Sequence, residues 1–485
     1  MDRVTVGSPS TATPGANAAL ASLSLCALLS ALGISSANVA LPTLALAFDA
    51  TFQHVQWVVI AYLLAVTTLI VSVGRLGDIA GRRRLLVGGI ALFTAASAAS
   101  GAAPTLWVLI AARAGQGLGA AVMMALSMAF VGATVPKDRT GSAMGWLGTM
   151  SAVGTALGPS LGGLLIAHAG WRAIFLANVP LGMLTLACVW RYLPCDSARA
   201  PARDLLQSPT GRAQFDYLGT LLLAFTLAAY ALGMTLGCGA FGPLNLALLL
   251  GALCGLLPFV LAESRAASPL IQLSLLRDRA LCASLATGAL VSTVMMATLV
   301  VGPFYLSRAF GLDAAAVGMV MAAGPIAAAL AGVAAGRLAD RFGAARIAMA
   351  GLVGIAAGSL ALALMPRALG VPGYLAAITT MTVSYAIFQT ANNTTVMADA
   401  GAQQRGVLSG LLNLSRNLGF ITGAVVMGAL FALGAAAPDM LAAPPQAVAA
   451  GMRLTFSVAA GLIALALLLS VASRRATNKC RAVTP

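Results

Sequence analysis

Two stretches of this chain read almost alike: GRLGDIAGRRR from Gly74 to Arg84, and GRLADRFGAAR from Gly336 to Arg346. Each lies between two long apolar segments. Each sets Gly-Arg-Leu, an Asp and a second Gly in the same order, and each ends in Arg. A repeated polar phrase between apolar runs implies a duplicated chain, a membrane as its solvent, and two halves that hinge at matching short loops.

Composition agrees. The 485 residues are 60% hydrophobic and 8% charged, where a soluble domain carries about a quarter charged residues. A spanning helix needs about 20 apolar residues. Fourteen runs meet that length: 18–45, 54–76, 84–103, 104–134, 140–167, 171–193, 216–237, 243–262, 280–309, 313–338, 344–366, 371–398, 405–434 and 451–473. Low polarity and frequent glycine favour helices; a spanning barrel would show short alternating strands. The expected fold is therefore an all-α membrane protein.

A net charge of +15 invites a nucleic-acid partner, but the placement of the charges excludes one. Alternate loops hold the positives: Arg82, Arg83 and Arg84; Lys137 and Arg139; Arg191, Arg199, Arg203 and Arg212; Arg265, Arg277 and Arg279; Arg337, Arg341 and Arg346; Arg405; then Arg474, Arg475, Lys479 and Arg481. The intervening loops hold chiefly Arg172, Arg308, Arg367 and Arg453. That bias marks the cytoplasmic side. It predicts both termini in the cytoplasm, which requires an even number of spans. None of the seven cysteines forms a CxxC pair, so neither a disulfide framework nor a metal site is indicated. The polar stretch MDRVTVGSPSTATPGAN is read as a cytoplasmic tail, since no small-residue cleavage site follows a short apolar core. Abundant Ala, Gly and Arg with only two lysines suggest a GC-rich bacterial source and hence the inner membrane.

The repeat extends beyond the two phrases. With a shift of 265, Gly141 falls on Gly406, Gly145 on Gly410, Gly154 on Gly419 and Gly158 on Gly423, while Arg139 lands one residue short of Arg405. Eight spans separate the two phrases where two six-helix halves need six. Two helices are therefore inserted, and the pair after the hydrophilic stretch PCDSARAPARDLLQSPTGRAQFD fits best. The expected organisation is a tail at 1–17, a six-helix bundle at 18–193, a linker at 194–215, the inserted pair at 216–262, a linker at 263–279 holding the only glutamate, Glu263, a second bundle at 280–473 and a tail at 474–485. Parallel repeats about an axis along the membrane normal are a transporter architecture with a site near mid-membrane.

Several residues carry chemistry. Gly77 and Gly81 permit a tight turn. Gly154, Gly158 and Gly162 recur every fourth residue and line one helix face for close backbone approach; Gly163 adjoins them. Pro159 removes a helix hydrogen bond and favours a bend. Position 424 holds Ala where the first half has Pro159, so the bend is expected in one half only. Arg113 lies inside the fourth span among Ile110, Ala111, Ala112 and Ala114. A mid-membrane arginine costs at least ~2.5–3.5 kcal/mol, so it needs a partner, a watery cavity, or carbonyls with Gln116. Arg416 sits mid-helix in the thirteenth span. Further polar residues available to a cavity are Asn38, Tyr62, Gln116, Tyr305, Gln389, Asn392, Asn393, Asn413 and Asn417, though most such residues in helices are packing contacts and only a minority face a ligand. His54 and His168 fall at outer helix ends.

Four phrases together resemble the major facilitator superfamily, and within it the fourteen-span drug/proton antiporter branch. They are the loop Gly74–Arg84; Leu109, Arg113, Gln116, Gly117 and Gly119 in the fourth helix; Gly154, Gly158, Pro159, Gly162 and Gly163 in the fifth; and Ala61–Ala65 after Trp57 together with Trp171–Gly182. The resemblance covers nearly the whole chain. It implies two six-helix bundles rocking around a central site. It implies a gate in which Asp78, matched by Asp340 and flanked by Gly74, Gly81 and Arg82, meets the positive end of a helix in the other half. It implies proton coupling through Arg113, and an antiporter-type fifth helix. The energy source would be the proton gradient, with no cofactor, and the partners would be the lipid bilayer, protons and a small-molecule substrate.

One departure bears on substrate. The family's first helix usually carries an Asp five residues before an Asn; here Asn38 and Pro42 are present but the acid's place holds Gly33. With no carboxylate clearly mid-membrane, the interior reads as neutral to positive. A neutral, zwitterionic or anionic substrate is then expected over a quaternary cation, unless Asp49 or another end-of-helix acid reaches the cavity. The same fold also suits a dedicated exporter of a metabolite or siderophore. A membrane-embedded sensor would need a soluble output domain, and an intramembrane enzyme a metal or nucleophile constellation; two distant histidines supply neither, so the chain is not expected to be an enzyme.

Overall fold

A computed structural model describes residues 14–70, 72–134, 140–193, 217–235, 242–265, 278–366, 369–398, 405–436 and 443–483. The linker expected at 194–215 and the side chains of Gly74, Asp78 and Asp340 lie outside the described residues. All regular elements among the described residues are helical: α1 (Pro14–Ala47), α2 (Phe52–Ile70), α3 (Val73–Ala80), α4 (Arg82–Ala102), α5 (Leu106–Thr134), α6 (Thr140–Ala169), α7 (Arg172–Leu176), α8 (Asn178–Tyr192), α9 (Tyr217–Thr235), α10 (Pro243–Arg265), α11 (Arg279–Ala309), α12 (Ala314–Phe342), α13 (Ala344–Leu364), α14 (Gly370–Ala398), α15 (Arg405–Thr422), a π turn (Gly423–Met427), α16 (Gly428–Ala435) and α17 (Pro445–Val483). Among the described residues, fourteen helices are long and apolar enough to cross a membrane, the first over Asn17–Ala47 and the last over Pro445–Arg474.

Their starts and interiors follow local chemistry. Asp278 and Asp313 cap α11 and α12, accepting from the Ala280 and Ala316 amides at 2.8 Å; a helix start leaves such amides without internal partners. Inside the spans, Ser22, Ser30, Thr67 and Ser97 donate to the carbonyl four residues back. That satisfies each hydroxyl where no water is available.

Six helices pack as one bundle, with α1 on α6, α2 and α4 on α5, and α8 on α1 and α4. Six more repeat it, with α11 on α15 and α17, and α14 on α12 and α13. The inserted α9 and α10 pack on each other, and α9 also touches α2 and the π turn. Trp57 Nε1 donates to Thr235 Oγ1 at 3.0 Å, Ser72 and Thr220 share a 3.0 Å hydroxyl bond, and Tyr230 stands beside Thr422. The inserted hairpin therefore contacts both halves.

The repeated phrases turn identically. Gly81 (φ 89°, ψ 125°) ends α3 and starts α4; Gly343 (φ 88°, ψ 129°) ends α12 and starts α13. A positive φ is open to glycine at little cost, which is why both copies hold Gly there. Gly77, read as a second turn glycine, is instead buried inside α3. The second span also ends earlier than expected, at Ile70, with Ser72 at the start of α3; its counterpart α12 runs unbroken to Phe342. Glu263 also differs from its sequence assignment. It lies not in a loop but in the last turn of α10, and it is buried.

The apolar core joins the halves at one end only. Residues at the end opposite the glycine turns, among them Leu41, Phe52, Phe175, Phe304 and Phe431, form one cluster that also takes in the inserted pair. Toward the glycine turns, the first half keeps its own cluster around Leu23, Phe93 and Leu126, whereas in the second half the joined cluster continues to Ala348 and Leu352, beside a small one of Leu281, Leu408 and Leu411.

Candidate functional site

The closed end is built from three contacts. Phe52 stacks edge-on against Phe304 at 4.7 Å and Phe431 at 5.6 Å between ring centroids. Gln56 Nε2 donates to the Ala424 carbonyl at 3.2 Å. On the other flank α6 meets α12: a methyl placed on Gly163 would stand 2.5 Å from the Ala314 carbonyl oxygen. A Cβ on Gly318 would likewise run into the Pro159 carbonyl. Small residues on both helices are what permits that approach.

Gly154, Gly158 and Gly162 face α1, where Cβ atoms would meet the Leu28 carbonyl, the Ser35 hydroxyl and the Ser36 carbonyl. Gly419 and Gly423 do the same against Ala289 and Thr293 of α11. The helix irregularity that the structure shows lies in the second half. The position matching Pro159 is Ala424, and it lies in the π turn. The first-half helix runs unbroken through Pro159, while in the second half the Ala424 carbonyl, within the π turn, accepts from Gln56 Nε2. π turns of this kind cluster at functional sites.

Arg113 is fully buried. Its Nε donates to the Val58 carbonyl and its Nη1 to the Gly33 carbonyl, both at 2.9 Å, and Nη1 also bonds Gln116 Oε1. Gln116 Nε2 in turn donates to Ser97 Oγ at 2.7 Å. The guanidinium lies 4.4 Å from the Tyr62 ring centroid and 5.9 Å from that of Phe175. Hydrogen bonds to a charged group are worth about 1.5–3 kcal/mol each; three of them, with a desolvated cation–π contact, offset the cost of burying the charge. Tyr62 is itself fixed by donating to the Ser30 carbonyl at 3.0 Å. The carbonyls of Gly33 and Val58 thus accept where a carboxylate would otherwise pair.

A second polar cluster lies in the other half. Arg416 is half-buried and donates through Nη2 to Asn413 Oδ1 at 2.7 Å. Its Nε and the Nδ2 of Asn417 are buried donors without a hydrogen-bond partner. Tyr385, which sequence reading did not single out, lies near Arg416 and is hydrogen-bonded to Ser292. Asn392 Nδ2 reaches the Ser284 carbonyl at 3.5 Å, and Ser415 Oγ the Leu285 carbonyl at 2.6 Å.

The remaining sequence candidates scatter. Asn38 is buried and donates back to Ile34 within α1. Tyr305 packs near the closed end against Phe310 and Tyr374. Gln389 is half-buried and Asn393 exposed. His54 and His168 are exposed. Asp49 is exposed in the turn after α1 (φ 47°), not aimed into the interior. Arg83 anchors the first glycine turn, donating to the Trp190 carbonyl with its guanidinium over the Trp190 ring.

Known proteins share this arrangement. The Major Facilitator Superfamily model matches residues 23–424. The multidrug resistance protein Stp of Mycobacterium tuberculosis (strain ATCC 25618 / H37Rv) is 32% identical over 406 residues, 81% of this chain and 72% of its own. The riboflavin transporter RibZ of Clostridioides difficile (strain 630) is 28% identical over 451 residues, 93% of this chain and 96% of its own. The crystal structure of a bacterial homolog to the human lysosomal transporter Spinster, inward-facing and unoccupied, superposes with a TM-score of 0.68 at 14% identity, over 96% of this chain and 98% of that one. Two glycine-turned six-helix bundles, a match over most of the length and a shared fold converge on one statement: this chain is a member of the major facilitator superfamily.

Proposed function

We propose that the chain is a proton-driven secondary exporter of the fourteen-span drug/proton antiporter branch, moving small organic compounds of neutral or anionic character out of the cell. The observation that carries the reading is the divided core. The first half shares one core with the second at the end opposite the glycine turns and keeps a core of its own toward them, which suits alternating access about a central site. With the arginine-rich glycine turns and both termini in the cytoplasm, this is the inward-facing form in a bacterial inner membrane. The relative named a multidrug resistance protein supports export of varied compounds.

In this reading Arg113 couples proton movement to transport. The gate centres on Asp78 and Asp340 at the glycine turns, and the glycine faces of α6 and α15 carry the rocking. The charge preference rests on position 33 and on the acids with described side chains: Asp49, Asp278 and Asp313 sit at span ends, and Glu263, though buried, lies in the last turn of α10. A dedicated metabolite exporter is the second reading, favoured by the relative named a riboflavin transporter and by Gly33 in place of an acid in the first helix. The test is Arg113→Ala in inverted vesicles. Gradient-driven uptake is expected to vanish while the protein still inserts at wild-type levels; unchanged uptake would refute the coupling role.

A further inference from the structure

Arg113 and Arg416, the mid-span arginines among the described residues, are not equivalent, and the difference points to how a substrate is held. Arg113 is closed in by the Tyr62 and Phe175 rings and bound to two carbonyls and an amide. Its Nη2 lacks an acceptor too, but the side chain has no exposed surface. Arg416 is half-buried and has a single bond, to Asn413. Asn413, Arg416 and Asn417 stand at i, i+3 and i+4, so they share one face of α15. On that face two donors, Arg416 Nε and Asn417 Nδ2, are buried without acceptors, although only 3% of Asn417 is exposed.

An unsatisfied buried donor costs about 1–3 kcal/mol, more where the group is charged. Both donors lack the same thing, an acceptor oxygen. The described acids of this half, Asp278 and Asp313, are committed to capping helix starts. The acceptor therefore has to arrive with a ligand. A carboxylate matches best, since its two oxygens complement the guanidinium edge, and Tyr385, hydrogen-bonded to Ser292, lies near Arg416. We infer that Arg416, with Asn417 and Tyr385, binds the carboxylate of an organic anion, and that Arg113 stays a fixed internal charge that touches no substrate. The inference rests on the exporter reading for its role in transport, but binding at this face is testable without transport.

The experiment uses the purified full-length chain and a panel of tritiated aryl carboxylates, from naphthoate to fluorescein-sized acids, each paired with its neutral amide. Binding is read by scintillation proximity. Arg416→Gln is expected to weaken acid binding about 10- to 100-fold and leave amide binding within about twofold. Arg416→Lys is expected to retain part of the acid affinity. Asn417→Asp, which supplies an oxygen from the protein itself, is expected to fold normally and lose acid binding. Equal loss of acid and amide by a folded Arg416→Gln protein would overturn the inference. So would a wild-type chain that binds the amides and ignores the acids. Failure of the exporter reading would appear separately, as wild-type vesicles that bind the acids but do not move them on a gradient.

Discussion

Gly33 and Arg113 set the charge of the first bundle's interior. A Cβ on Gly33 would lie 3.2 Å from the Phe93 ring edge and 3.5 Å from the Tyr62 hydroxyl, so an acid fits there with small adjustments. It would share the Tyr62 side chain with the Arg113 guanidinium. Gly33→Asp should therefore create an internal ion pair and a negative site, and raise ethidium efflux above wild type. Efflux that stays flat in a folded variant would show that the missing acid does not set the preference. Part of this site is readable from sequence. Gln116 is three residues from Arg113, which puts both on one helix face. The Val58 and Gly33 carbonyls and the Tyr62 ring come from other helices. Backbone acceptors carry no residue signature, so only the fold shows that Arg113 is fully satisfied on two of its three nitrogens. Arg416 was legible as a mid-span cation, but its lack of an acceptor was not, since that depends on what α11 and α14 fail to supply.

At the scale of helices, glycine decides where elements meet. Gly154→Val would drive a branched side chain into the Leu28 carbonyl 2.5 Å from its Cβ, and overpacking of this kind costs about 1–3 kcal/mol. Gly148→Val, on the same helix with open space around it, should be nearly neutral. Thermal unfolding of the two purified variants checks the pair; equal midpoints would contradict the packing assigned to α1 and α6. The π turn offers a second test. Gln56→Leu removes the donor that holds the Ala424 carbonyl across the bundles, about 1 kcal/mol of closure at that end. Spin labels placed on either side of the Phe52–Phe431 contact should report a larger population of long distances, and an unchanged distribution would contradict the latch. The helices themselves were legible as apolar runs of spanning length. The early end of the second span at Ile70 and the π turn were not, because Ser72 meets Thr220 of the inserted hairpin and Gln56 meets Ala424. Both partners are distant in sequence.

On the scale of the whole molecule, duplication provides two frames and their differences provide direction. The frames share glycine turns with matching dihedrals and glycine faces on matching helices. They differ in that one half holds a sealed arginine and the other an open one. The repeat in the sequence disclosed the frames and the inserted pair; it could not disclose which end is joined, because that is a property of packing between halves. The inserted α9 contacts both halves, so the hairpin bridges them. The most direct test of the account is uptake into inverted membrane vesicles of matched cationic, neutral and anionic compounds, with and without an uncoupler. Energised vesicles should accumulate neutral and acidic compounds, and the uncoupler should abolish that accumulation. Uptake confined to cations, or uptake that persists with the proton gradient collapsed, would contradict it.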